Sequence, residues 1–163
     1  MARKIYYMRL DYSKNKLFSV GIEEEYMICD QQSGELVDRA DLIMEHIKSV
    51  KNDSIKDFNK RFSYELILSE IESNTSPCDD VNTAIHEVAL LRSFLKKIGK
   101  KFDFTLGISG THPTGNPSKQ NFVKNESYNW VRNQLKEYAR QNMTFSTHIH
   151  IGLTNGDDII QIT

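Results

Sequence analysis

An α+β domain, with helices packed on one face of a sheet, is predicted by three features of the sequence. Period-2 alternation of apolar residues recurs in separate stretches, FSVGIEEEYMIC, SYELILSEIESNT and MTFSTHIHIG, and this alternation marks strands. Between these stretches stand segments with apolar residues at helical spacing. The chain has 163 residues, enough for one domain with a real core and too few for two.

Taken in order, Phe18, Val20, Ile22, Tyr26 and Ile28 alternate with smaller or polar residues, so the first element is a strand rather than a helix. Ser33 and Gly34 then offer a turn. A helix follows, with Asp38 or Asp41 as its cap and Ile43, Met44 and Ile47 on its inner face. KNDSIKDFNKR is polar and reads as a connector. From Phe62 the pattern is that of a strand up to the stop at Pro77.

The strongest helix runs from about Asp80 to Lys100, with Val81, Ala84, Ile85, Val88, Leu91, Leu95 and Ile98 as its apolar stripe and a basic last turn. KFDFTLGISG reads as a strand entering a Gly-Thr-His-Pro loop. A further helix over roughly Glu126 to Arg140 turns Tyr128, Val131 and Leu135 inward. The last strand ends at Gly152, with Ile149 and Ile151 on its core side, and Asn155 or Asp157 then caps a new helix.

Composition narrows the function less than the motifs do. Formal net charge is −1, from 21 Lys and Arg against 22 Asp and Glu, so no global basic field points to nucleic acid or an acidic membrane. The start, MARKIYYMRLDYSKNK, lacks the apolar core of a signal peptide, and no stretch approaches a membrane span. Cys29 and Cys78 lie far apart without metal spacing and read as reduced thiols. A cytoplasmic protein is the expectation.

The chemistry gathers on three strands. On the first, Glu23 and Glu25 share a face while Glu24 points the other way. Two carboxylates roughly 6 to 7 Å apart on one strand face repel each other unless a positive charge lies between them. On the second, Glu70, Glu72 and Asn74 share a face; on the last, His148 and His150 do. Each pair taken alone is compatible with a solvated polar face, and the coincidence across three strands favours a cation site. A carboxylate-rich set with one or two imidazoles suits Mg²⁺ or Mn²⁺ better than zinc. No GxxxxGK[ST] or GxGxxG loop is present.

GIEEEY at 21–26, EIESNT at 70–75, GISGTHP at 107–113 and THIHIG at 147–152 resemble, in the same order, the carboxylate-amine ligase family related to glutamate-cysteine ligase, the type-2 bacterial group. The resemblance covers the chain from about Phe18, leaving 1–17 as an N-terminal extension and 18–163 as the N-terminal half of the catalytic domain. It implies a glutamine-synthetase-like curved antiparallel sheet that holds Mg²⁺ (or Mn²⁺) and ATP. It also implies a reaction in which ATP phosphorylates a glutamate-type carboxylate and an amine displaces the phosphate.

Carried over residue by residue, the resemblance makes Glu23, Glu25, Glu72 and His148 metal ligands. Asn74, Thr75 and His150 become ATP or substrate contacts, and no catalytic residue is assigned. His112, in the GTHP loop, either approaches the site or structures the loop. Family members run longer, so a fragment with an incomplete site is expected, prone to self-association through its cut sheet. Two other classes remain open: a metal hydrolase built on the His148/His150 pair, and a non-catalytic domain that binds a metabolite or partner.

Overall fold

The structure, a computed structural model, describes residues 16–50, 55, 57–124, 143–154 and 156–162. Strand β1 (Val20–Cys29) is followed by helix α1 (Ala40–Ser49), a 3-10 turn at Phe58–Arg61 and the short strand β2 (Phe62–Ser63). Then come β3 (Glu70–Asn74), the long helix α2 (Val81–Phe102), β4 (Thr105–Gly107), a 3-10 turn at Pro117–Lys119, β5 (Thr147–Ile151) and α3 (Gly156–Ile162). The expected helix over 126–140 lies outside the described residues.

All the described strands belong to one sheet, with β1 at its centre. On one side β1 pairs with β3, and β3 pairs in turn with β2. The other side of β1 is shared: β4 takes Met27–Cys29 and β5 takes Val20–Glu24. Among the described residues every pairing is antiparallel, which agrees with the α+β expectation, and no parallel βα series of the kind that builds a hydrolase barrel is seen there.

Both long helices lie on the same face of the sheet. Ile43, Met44 and Ile47 of α1 and Leu91, Leu95 and Ile98 of α2 pack with Tyr26, Ile28 and Ile71 in the main core. Ile55 and Phe58, in the segment read as a polar connector, are buried in that core as well. Their burial ties the connector down where its charged neighbours alone would leave it solvated.

Four expectations are corrected. The helix α1 has no side-chain cap, Arg39 standing at its N-cap; Asp38 instead accepts a hydrogen bond from Asn121 and Asp41 one from Tyr64. In α2, whose N-cap is Asp80 accepting from the Thr83 amide, Val81 and Ile85 are exposed rather than inward. The sheet-facing line runs through Ala84, Val88, Leu91, Leu95 and Ile98, and Val81 and Ile85 stand beside it.

The third correction concerns 62–75, which is not one strand. The chain pairs at Phe62–Ser63, leaves the sheet, and returns antiparallel to itself at Glu70–Asn74. The intervening loop is held by backbone bonds from Arg39 and Ala40 to the Leu68 carbonyl and from Leu68 to the Asn121 carbonyl. Finally, Ile149 and Ile151 of β5 are 67% and 52% exposed. They point to the helix-covered side, as alternation requires, but no described helix extends over β5.

Gly152 fixes the end of β5. Its amide and carbonyl bond to Ser19 and Phe18, and a Cβ there would fall 2.1 Å from the Ser19 hydroxyl, so only glycine permits this close crossing of the two chain segments. The consequence is functional, since it sets the register in which β5 presents its histidines to β1.

Candidate metal centre

Register across the sheet brings the sequence-selected residues into rows on the face away from the helices. Asn74, Glu23 and His148 are direct cross-strand neighbours on β3, β1 and β5. One step along, Glu25 stands opposite Glu72, and Glu72 opposite Ser63. Gly21 stands opposite His150. Directly paired side chains lie on the same face, so Glu23, Glu25, Glu72 and His148 form one continuous patch.

Two subclusters occupy this patch. In the first, Glu23 takes His148 Nδ1 at 3.2 Å and His150 Nε2 at 3.1 Å. The hydrogen bond from His150 is the larger cause holding the Glu23 carboxyl below its ordinary value, against the effect of burial. In the second, ligand atoms of Glu25, Glu65 and Glu72 all lie within 4.8 Å of one another. His148 Nδ1 also stands 4.0 Å from Glu25 and so links the two.

Two of the three carboxylates in the second subcluster have a partner that holds them in place. Glu25 accepts from the Ser146 amide at 2.6 Å, while its own amide donates to the Ser146 carbonyl. Glu72 accepts from the Ser63 hydroxyl at 2.7 Å. These partners orient the oxygens and leave lone pairs free for a cation. Oxygens this close, with one imidazole beside them, fit Mg²⁺ or Mn²⁺, which take hard oxygen ligands and keep room for water.

Glu65 was not selected from the sequence. On an unbroken strand it would face away from Glu72; the loop between β2 and β3 turns it back over the site. Its flank, SYELILSE, carries no glycine or proline to announce the turn. Burial, and then the charges of Glu25 and Glu72, raise its carboxyl from 4.5 to about 7. Glu70 is more deeply buried, and burial followed by the charges of Glu25, Glu65 and Glu72 raises it from 4.5 to about 9.

These shifts carry a stability consequence. A carboxyl whose folded value exceeds its unfolded one stabilises the fold fully below the unfolded value, and that contribution is lost as pH rises through the folded value. The cation-free protein should therefore lose thermal stability from pH 5 through about 7 and on to about 9. A cation favours the ionised carboxylates, so Mg²⁺ should flatten the decline. Melting curves across this range, in chelator and in Mg²⁺, measure both effects; parallel curves would contradict the assignment.

Glu24, the middle glutamate, faces the helices. Its carboxylate accepts from Arg92 Nε at 2.8 Å, from a terminal Arg92 nitrogen and from the Tyr26 hydroxyl. Ser73 donates in turn to the Tyr26 oxygen at 3.3 Å. Its role is to join α2 to β1.

Asn74, Thr75 and His150 meet at a cleft of about 530 Å³ that also takes in Gly21 and Glu23, a volume in the range of small-molecule sites. The Thr75 hydroxyl is already engaged, accepting from the Ile22 amide at 3.0 Å. Lys16 and Asp79 form an ion pair at the rim. His112 is buried elsewhere, its Nε2 2.8 Å from the Gly34 carbonyl and its Nδ1 accepting from the Thr114 amide. That is the loop-structuring alternative.

Comparison with known proteins gives the family. The model of glutamate-cysteine ligase family 2 matches residues 19–163. The chain belongs to this family. Among relatives, a protein of Roseiflexus sp. strain RS-1, provisionally named glutamate-cysteine ligase 2, is 30% identical over 145 residues, covering 89% of this chain and 36% of that protein. One of Chloroflexus aurantiacus strain J-10-fl, under the same provisional name, is also 30% identical, covering 89% and 35%. One of Frankia alni, provisionally named glutamate-cysteine ligase 2-1, is 29% identical over 155 residues, covering 95% and 40%. The chain thus spans a little over a third of the length of these relatives, less than the half expected. Among the described residues no helix is long and apolar enough to cross a membrane.

Proposed function

We propose that this sheet face belongs to an ATP-dependent ligase that joins a glutamate-type carboxylate to an amine through an acyl phosphate. The observation that carries the reading is the grouping of Glu25, Glu65 and Glu72 within 4.8 Å, next to the Glu23–His148–His150 cluster and a cleft of about 530 Å³. Family membership over residues 19–163 supports the ligase class. A glutamine-synthetase-like sheet is the architecture this reading assigns to the whole protein. Its setting would be the cytoplasm, where Cys29 and Cys78, both free, stay reduced.

Two cation positions follow. Glu25, Glu65 and Glu72 would hold one; Glu23 and His148 would hold another, completed by groups from the remainder of the protein. Cations there neutralise phosphate oxygens as charge moves during phosphoryl transfer. Asn74, Thr75 and His150 line the cleft, where they orient ATP or the acceptor carboxylate. The walls around Glu25, 8% exposed, limit the access of water that would hydrolyse an acyl phosphate.

The whole protein should release phosphate from ATP only when glutamate, an amine and Mg²⁺ or Mn²⁺ are all supplied. Glu23→Gln should lower that rate by more than about 100-fold, the loss expected when a charge-stabilising group leaves such a centre. The 163-residue chain alone should show little turnover, and its exposed β5 surface should favour self-association. Amide hydrolysis retained with tightly bound zinc would instead support the hydrolase reading.

A further inference from the structure

Glu70 takes no part in the reading above, yet it is among the most costly side chains in the protein. It is 3% exposed, and its Oε1 has no hydrogen-bond partner among the described residues. It shares the face of Glu72, two residues on, and stands directly opposite Met27. Met27 belongs to an apolar cluster with Cys29, Ile67, Met143 and Phe145, so Glu70 sits where that cluster meets the carboxylates.

Once ionised, as a neighbouring cation favours, the Glu70 carboxylate can only accept. Its charged neighbours are Glu25, Glu65 and Glu72, which are acceptors too when ionised. An acceptor buried without a donor is retained at a cost to stability. Mg²⁺ supplies what is missing, because it binds through few carboxylates and keeps several of its waters, each a donor.

We propose that Glu70 is a positioning residue of the cation site, its free buried oxygen accepting a hydrogen bond from water on the cation held by Glu25, Glu65 and Glu72. This rests on the reading of those three residues as a cation site. Its signature is a pair of effects with opposite signs. Removing the carboxyl relieves a buried oxygen left without a partner in the cation-free protein, while it takes away an outer partner of the bound cation. Loss of such a partner typically weakens metal affinity by about 10- to 100-fold.

The test uses the 163-residue chain with Glu70→Gln, which preserves shape, and Glu70→Met, which matches the apolar neighbours. Calorimetric titration with Mg²⁺ and with Mn²⁺ alone gives affinities, and melting in chelator gives cation-free stability. Both variants should melt at higher temperature than the parent and bind Mg²⁺ at least about 10-fold more weakly. Unchanged affinity in both variants, or a lower melting temperature in both, would overturn the role of Glu70 while the cation site stands. Absence of any Mg²⁺ or Mn²⁺ binding by the parent chain would overturn the site itself, and Glu70 with it.

Discussion

Arg92→Ala should destabilise the fold by about 2 to 4 kcal/mol, because it leaves the buried Glu24 carboxylate without its charge partner. Glu24 is 4% exposed, and Arg92 holds both of its oxygens from α2. The Arg92 side chain is itself 44% exposed, so water compensates in part and the loss falls below that of a fully sealed pair. Burial, then the bond to Glu24, raises the Tyr26 phenol far above its ordinary value, so it stays a neutral donor to Glu24 and cannot replace the charge of Arg92. Denaturant unfolding measures the change. A loss within about 0.5 kcal/mol, the range of ordinary surface substitutions, would show that the contact between α2 and β1 does not depend on this pair.

The second large effect concerns the opposite face. Glu72→Gln and Glu25→Gln should each weaken Mg²⁺ and Mn²⁺ binding by more than about 100-fold, exceeding the loss of an outer-shell partner. Each removes a charged oxygen from a group of three that lie within 4.8 Å. Neither should lower cation-free stability, since each relieves repulsion among Glu25, Glu65, Glu70 and Glu72. Glu45→Gln, on the exposed side of α1, is the control and should change neither quantity. Equal affinities in all the variants would mean that these carboxylates hold no cation.

The site was legible where strand parity alone decides direction. Glu23, Glu25, Glu72 and His148 stand on one face and Glu24 on the other because alternation in β1, β3 and β5 leaves no choice, and register across the strands brings them side by side. Glu65 escaped because parity fails where a strand is broken, and the stretch after Ser63, YELILS, carries no glycine or proline to mark the break. The loop is stabilised instead by distant backbone groups of Arg39, Ala40 and Asn121, contacts that a local pattern does not encode.

The core was legible along the centre of each helix and not at its flanks. Ala84, Val88, Leu91, Leu95 and Ile98 meet the sheet as their spacing requires, whereas Val81 and Ile85 belong to the same apolar stretch and remain exposed. Ile149 and Ile151 make the same point for a strand. Alternation names the side of the sheet they face, but whether anything covers that side depends on elements elsewhere in the fold.

The central claim, that the β1–β3–β5 face is a divalent cation centre, is tested most directly by anomalous scattering from crystals grown with Mn²⁺. A peak enclosed by the carboxylates of Glu25, Glu65 and Glu72, with or without a second beside Glu23 and His148, is the predicted result. Manganese bound elsewhere, with that position empty at saturating concentration, would contradict it.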